Sequence, residues 1–315
     1  MCPVDQQLRV GLVGGGPWAR TVHAPGLAEH PGTALTAIWT RRPDAARELA
    51  EAHCATAVET VDELLGQVDA VAFAVPPSVQ AEIAIQAAAA GKHLILEKPI
   101  AADLPTAERL AAAVAESDVA ALVMFTLRYA IQTQEWLAGL KEAGGWAGGS
   151  ARWLSGALLN ETYRDSAWRH EDAGALADVG PHAFDLLDAA LGPITGVRAA
   201  HRTDRDLWTV LLEHEGGITS TAVLTLRLPI MPTVVELAVF GENGFRSVNQ
   251  RPGTPQDSYT ALLDDFAALI ASGTREHPCD VRRGLHIQRV IDQTIRVVRG
   301  SGGRPPSGQH SVVSK

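Results

Sequence analysis

The chain has 315 residues, 46% of them hydrophobic and 20% charged, with a formal net charge of −9. At roughly 150 residues per domain, this length predicts two domains or one large α/β unit with an appendage, and the composition excludes a disordered chain. The acidic balance argues against a nucleic-acid duplex or an anionic membrane as main partner and leaves room for small anions bound locally. Up to about residue 125, short β-rich runs (8–13, 35–40, 70–75, 93–96 and 119–125) alternate with helical stretches (45–53, 80–90 and 104–115), the pattern of a parallel sheet covered on both faces. From about residue 150 the texture changes to strands at 149–159, 196–202, 207–214, 217–228 and 234–240. The turns Glu215-Gly216-Gly217 and Glu242-Asn243-Gly244 predict antiparallel pairing there. One helix (174–191) interrupts this half and two more (259–272 and 281–299) close it. The domains expected are 1–125 and 126–300, followed by 301–315, a disordered tail rich in Gly, Pro and Ser.

Cys2, Cys54 and Cys279 lie far apart with no metal-site spacing, which fits a reduced, cytoplasmic protein that needs no metal. The apolar stretch 8–13 carries Arg9 and ends in glycines, unlike a signal core, and no run approaches the roughly 18 apolar residues of a membrane span.

The first run ends in Gly14-Gly15-Gly16-Pro17-Trp18-Ala19, which fits G-x-G-x-x-[GA] and precedes a helix-compatible stretch, 20–30. Residues without Cβ let the backbone turn tightly and approach a diphosphate, whose charge then faces amide N–H groups and a helix N-terminus. Strand, loop, helix and second strand follow within about 40 residues, as a dinucleotide site requires. The second strand ends at Thr40-Arg41-Arg42, where an NAD site usually offers Asp or Glu to the ribose hydroxyls. A hydroxyl and two guanidinium groups suit a 2′-phosphate instead, which predicts NADP over NAD, unless both arginines are solvated residues opening the next helix at Pro43. Val75-Pro76-Pro77 and Glu97-Lys98-Pro99 end strands on the edge where ligands of open α/β sheets bind. Pro99 biases Lys98 toward an extended conformation that can aim its ammonium into the cleft.

In the second half, Asp178, His182 and Asp185 stand at i, i+4 and i+7 in ADVGPHAFDLL, one face of a helix. An acid beside a histidine can hold the ring and tune it for proton transfer. Read alone, the pair fits an ordinary buried histidine with a structural carboxylate better than a catalytic one. Trp153, Tyr163, Trp168 and Arg169 precede this helix and could line a pocket for a sugar ring or an acidic group, although aromatic residues there more often serve as core. His23 and His93 read as structural.

GGGPWA, VPPSVQAEIAIQAAAAGKHLILEKPIA and DVGPHAFDLL together resemble the glucose-fructose oxidoreductase, inositol dehydrogenase and rhizopine-catabolism family (Gfo/Idh/MocA), over residues 8–299. The resemblance implies an α/β protein: an N-terminal Rossmann domain plus a C-terminal α+β domain whose large, mostly antiparallel open sheet makes a homodimer or homotetramer. It implies an NAD(P)-dependent oxidoreductase acting on a hydroxyl or carbonyl of a sugar or polyol. Lys98 would hydrogen-bond the reacting oxygen, His182 exchange its proton, and Asp178 orient both. Pro17, Trp18, Pro76, Pro77, Gln80 and Glu97 would join Gly14, Gly15, Gly16, Thr40, Arg41, Arg42 and Lys98 around the cofactor, and Arg128, Trp168 and Arg169 would join Asp178 around substrate. Gln80 and Thr126 depart from the family's usual His and Asn. The alternatives are a non-catalytic dinucleotide sensor of the same fold and a reductase of C=N or C=C bonds.

Overall fold

The aliphatic runs of the first half pair side by side in parallel. In the computed structural model, which describes residues 7–160 and 166–301, β1 (Leu8–Val13), β2 (Thr33–Trp39), β3 (Thr56–Ala57), β4 (Ala70–Phe73), β5 (His93–Leu96) and β6 (Ala121–Val123) form one sheet in the order β3-β2-β1-β4-β5-β6. Every neighbouring pair in it is parallel. All four residues of β4 are buried, as expected of a strand covered on both faces, which is why such runs read as unbroken apolar sequence. The helices are α1 (Ala24–Glu29), entered through a π-helical turn at Ala19–His23, then α2 (Pro43–Ala52), α3 (Val61–Leu65), α4 (Pro77–Ala89) and α5 (Leu104–Ser117). Strand order reverses between β1 and β4, and the loops leaving their carboxyl ends open a crevice there.

After α6 (Ile131–Ala143) come β7 (Trp146–Leu154), α7 (Gly174–Leu191), β8 (Ile194–Arg202), β9 (Trp208–His214), β10 (Thr219–Thr225), β11 (Val234–Gly241) and β12 (Gly244–Asn249). They form a second sheet, β12-β11-β7-β10-β9-β8, antiparallel except between β7 and β10. Along β9, Trp208, Val210, Leu212 and His214 are buried and alternate with more exposed residues, the signature of a sheet with one covered face. Helix α7 packs against β7 and β10. The last helices, α8 (Pro255–Ser272) and α9 (Val281–Ser301), return toward the first sheet: α8 lies against α1, and α9 against α5, β6 and α7. Thr254 and Asp257 close a capping box that starts α8 four residues earlier than the sequence pattern suggests.

Other boundaries moved for local reasons. The strand expected over 149–159 stops at Leu154, because the Ser155 hydroxyl accepts the Ala157 N–H at 3.1 Å and turns the chain. The α6 segment, IQTQEWLAGLKEA, shows no clear helical stripe, since Thr133 and Leu140 are its only buried residues. Strand β12 is an exposed sheet edge without apolar alternation. Tyr163, Cys2 and the tail after residue 301 lie outside the described residues.

Candidate active site

The turn after β1 is made of backbone. The Gly14 N–H donates to the Trp39 carbonyl at 3.0 Å and its φ is +133°, in the region that favours glycine. A Cβ at Gly14 would lie 2.4 Å from the Ala74 carbonyl oxygen, and one at Gly15 2.9 Å from Thr40 Cγ2, whereas Gly16 faces open space. Gly15, Gly16, Thr40, Arg41, Arg42 and Pro76 line a cavity of about 310 Å³ at the switch point. A floor free of Cβ atoms is what a diphosphate requires, so the residues present fit a dinucleotide. The Thr40 hydroxyl donates to the Arg42 carbonyl at 2.5 Å and accepts from the Arg42 N–H at 3.2 Å, so its proton is committed to its own turn. Arg41 and Arg42 are exposed, and among the described residues neither guanidinium makes a hydrogen bond or ion pair.

Three residues expected at the cofactor also have partners within the protein. Pro77 is buried in the first turn of α4. Glu97 Oε1 accepts from Trp18 Nε1 at 2.6 Å and lies 3.0 Å from His23 Nε2, while its Oε2 accepts from the Lys98 N–H at 3.3 Å. Gln80 is 0% exposed, and both ends of its amide bind the backbone of residues 97–100. The need of buried polar groups for partners, which no spacing rule displays, accounts for the contacts of Gln80 and Glu97.

That loop carries Lys98 to α7. Lys98 Nζ donates to Asp178 Oδ1 and to the Asp178 carbonyl, both at 2.7 Å, joining the first sheet to the helix on the second. Pro181 lies inside α7, where it has no N–H to offer the Ala177 carbonyl, one residue before Asp178. Arg169 Nε donates to Asp178 Oδ2 at 2.9 Å. Its turn sits so close to α7 that a Cβ at Gly174 would lie 1.9 Å from the Arg169 carbonyl oxygen. Burial pushes the Asp178 carboxyl up, but Lys98 and Arg169 outweigh it and hold the group well below the usual carboxylate range.

His182, one turn along, is 7% exposed and stacks on Trp153 with ring centroids 5.4 Å apart and planes 17° from parallel. Its Nδ1 is buried without a hydrogen-bond partner. Burial first, then the charges of Lys98 and Arg251, lower its proton affinity well below the ordinary value, with Asp178 opposing. The ring is therefore neutral at pH 7 and able to accept a proton.

Arg128, expected beside substrate, is paired with α7. Its Nη1 donates to both oxygens of Asp185, at 3.1 and 3.2 Å. Asp185 is fully buried and also accepts from Arg283 Nε at 2.6 Å. Arg283 and His286 on α9 then hold Asp188, so this half of α7 is an anchor between elements. Trp168 lies beneath the Arg169 guanidinium, 4.3 Å from ring centroid to Cζ. Sequence reasoning missed Arg251, which follows the unpredicted β12 and lies 4.8 Å from the centroid of Trp153. It also missed Arg283; neither residue belongs to a motif. Among the described residues no helix is long and apolar enough to cross a membrane, and no cluster of three or more His, Cys, Asp or Glu could hold a metal.

Comparison with known proteins identifies the family and the fold. The model of the GFO/IDH/MocA oxidoreductase family, an NAD-binding Rossmann fold, matches residues 8–125, and that of the family's C-terminal domain matches residues 109–245. The chain is 28% identical to an uncharacterised oxidoreductase of Synechocystis sp., over 98% of this chain and 91% of that protein. It is 30% identical to the dTDP-3,4-didehydro-2,6-dideoxy-alpha-D-glucose 3-reductase of Actinomadura kijaniata, over 68% of this chain and 67% of that one. Among solved structures, levoglucosan dehydrogenase in complex with NADH and levoglucosan superposes with a TM-score of 0.81 at 20% identity, covering 94% of this chain and 98% of that chain, a likeness of fold.

Proposed function

This chain belongs to the GFO/IDH/MocA oxidoreductases, and from that membership we propose that it transfers a hydride between a nicotinamide dinucleotide and a hydroxyl or carbonyl carbon of a sugar, polyol or related small molecule. The observation that carries this reading is the 2.7 Å pair between Lys98 and Asp178, which joins the two sheets within one helical turn of a buried neutral histidine. A bound nicotinamide supplies the carbon that accepts or returns hydride. Asp178 takes two donor bonds from Lys98 and leaves the third ammonium proton for the substrate oxygen, where it lowers the cost of developing negative charge. His182 removes the hydroxyl proton during oxidation and returns it during reduction. Asp178, held ionised, keeps Lys98 and Arg169 in place. The dTDP-sugar reductase and levoglucosan dehydrogenase named above support a carbohydrate substrate. Arg41 and Arg42 at the cavity rim support NADP as the preferred cofactor. The exposed Phe240 and Phe245, paired across β11 and β12, support self-association through the open sheet face.

The test is a screen of sugars, inositols and their keto forms with NADPH and NADH, comparing wild type with Lys98→Ala and His182→Ala. Expected are turnover of at least one carbohydrate, tighter binding of NADPH than NADH, and a loss of about 10²–10⁴ in rate in either variant, with dinucleotide affinity kept. Unchanged turnover in both variants removes the roles given to Lys98 and His182, and tighter NADH binding removes the cofactor preference. Tight NADPH binding with no turnover of any compound points to a dinucleotide sensor.

A further inference from the structure

Loop 97–100 is an unusual stretch of backbone. It leaves β5 without entering another strand, yet Pro99 and Ile100 are buried, so its carbonyl groups cannot turn to solvent. One side chain serves most of them. Gln80 Nε2 lies within donor distance of the carbonyl oxygens of Glu97 (2.8 Å), Ile100 (3.2 Å) and Pro99 (3.3 Å), and Gln80 Oε1 accepts the Glu97 N–H at 2.8 Å. Gln80 stands in the first turn of α4, which begins at the carboxyl end of β4, the neighbour of β5. Its amide is thus aimed across the gap at the residues flanking Lys98, and it contacts the loop on both sides of that lysine.

We propose that Gln80 is the positioning residue for Lys98: it holds the backbone before and after the lysine, so that Nζ meets Asp178 at the domain junction rather than ranging over it. The proposal rests on the reading of Lys98 given above, and it assigns Gln80 no contact with cofactor or substrate. Two features separate it from a general stabilising role. The bonds converge on the lysine's immediate neighbours, and the lysine's own side chain is left to Asp178. Misplacing a charged group by about 1 Å can cost about 10² in rate, so a small relaxation of the loop has a visible consequence.

The test uses Gln80→Met, which keeps side-chain volume and removes all four contacts, and Gln80→Glu, which keeps the acceptor and removes the donors, each in wild-type and Lys98→Ala backgrounds. The expected result is a kcat lowered about 10²-fold by Gln80→Met in the wild-type background and under about 2-fold once Lys98 is gone, with the Kd for NADPH held within about 3-fold. A second readout needs no turnover. The lysines are Lys92, Lys98, Lys141 and Lys315, so the Lys98 ammonium can be followed as one 15N resonance, lost in Lys98→Ala. That resonance should shift in both Gln80 variants while the other three stay. Equal rate losses in the two backgrounds, NADPH affinity falling as far as kcat, or an unmoved Lys98 resonance would each overturn the proposal. If no carbohydrate is ever turned over, the activity assignment fails by itself while the resonance still decides the role of Gln80.

Discussion

The dinucleotide cradle and the charged junction sit at neighbouring strand ends and are built from different materials. In the cradle the working surface is backbone: three successive glycines, the Ala74 carbonyl just after β4 pressed against Gly14, and a rim of solvent-facing arginines. In the junction it is side chain: Lys98 from the end of β5, Arg169 from a short turn, and Asp178 and His182 from α7, with Trp153 and Arg251 behind the ring. The cradle depends on the absence of atoms, so adding a methyl group harms it. The junction depends on a balance of charges, so removing a single one harms it.

The sharpest way to break this contrast is Gly14→Ala. With φ at +133° and the Ala74 oxygen 2.4 Å from the new Cβ, the turn must shift, at a cost of about 3 kcal/mol, equivalent to roughly 10² in dinucleotide affinity. Fluorescence titration with NADPH measures it, and unaltered affinity would mean that the cradle does not bind through this turn.

Next comes Asp178→Asn. It leaves Lys98 and Arg169 without their shared counter-charge, at a cost of about 2 kcal/mol in stability, less than the roughly 3–5 for a fully buried pair because the group is partly exposed. Because the carboxyl is held below its unfolded value, its contribution is complete above about pH 4 and fades as pH falls further. Denaturant midpoints of the two proteins should therefore converge only at strongly acid pH. A gap that widens on acidification contradicts the assigned pairing.

The smallest effect is expected from Arg251→Gln. With one of the two cations that lower His182 removed, the acid limb of the oxidation rate should move up, toward the ordinary histidine value of about 6.5, by less than about one pH unit. The limb of the wild type should lie below it. A downward move in the variant would exclude His182 as the titrating base.

How much of the site was legible follows the same division. The glycine loop, Lys98 and the Asp178–His182 spacing could be read directly, because each lies within one short segment whose geometry is set by a strand end or a helical turn. Gln80 and Glu97 stand in a motif, but the motif does not display that Gln80 meets loop 97–100, that Glu97 meets Trp18 and His23, or that Arg128 meets Asp185. Helix α6 and strand β12 escaped because a mostly solvated helix and an exposed edge strand carry no apolar period.

By itself the sequence determined the alternation that builds a parallel sheet, the change to antiparallel strands, the cradle without Cβ atoms and the helix bearing an acid and a histidine one turn apart. Only the tertiary structure decided which of the protein's charges meet. Lys98 and Asp178 are eighty positions apart, and Trp153 reaches His182 from another element. Periodicity encodes which face of an element is buried, but the partner across an interface depends on how elements pack, and that is set by the summed burial of the whole core.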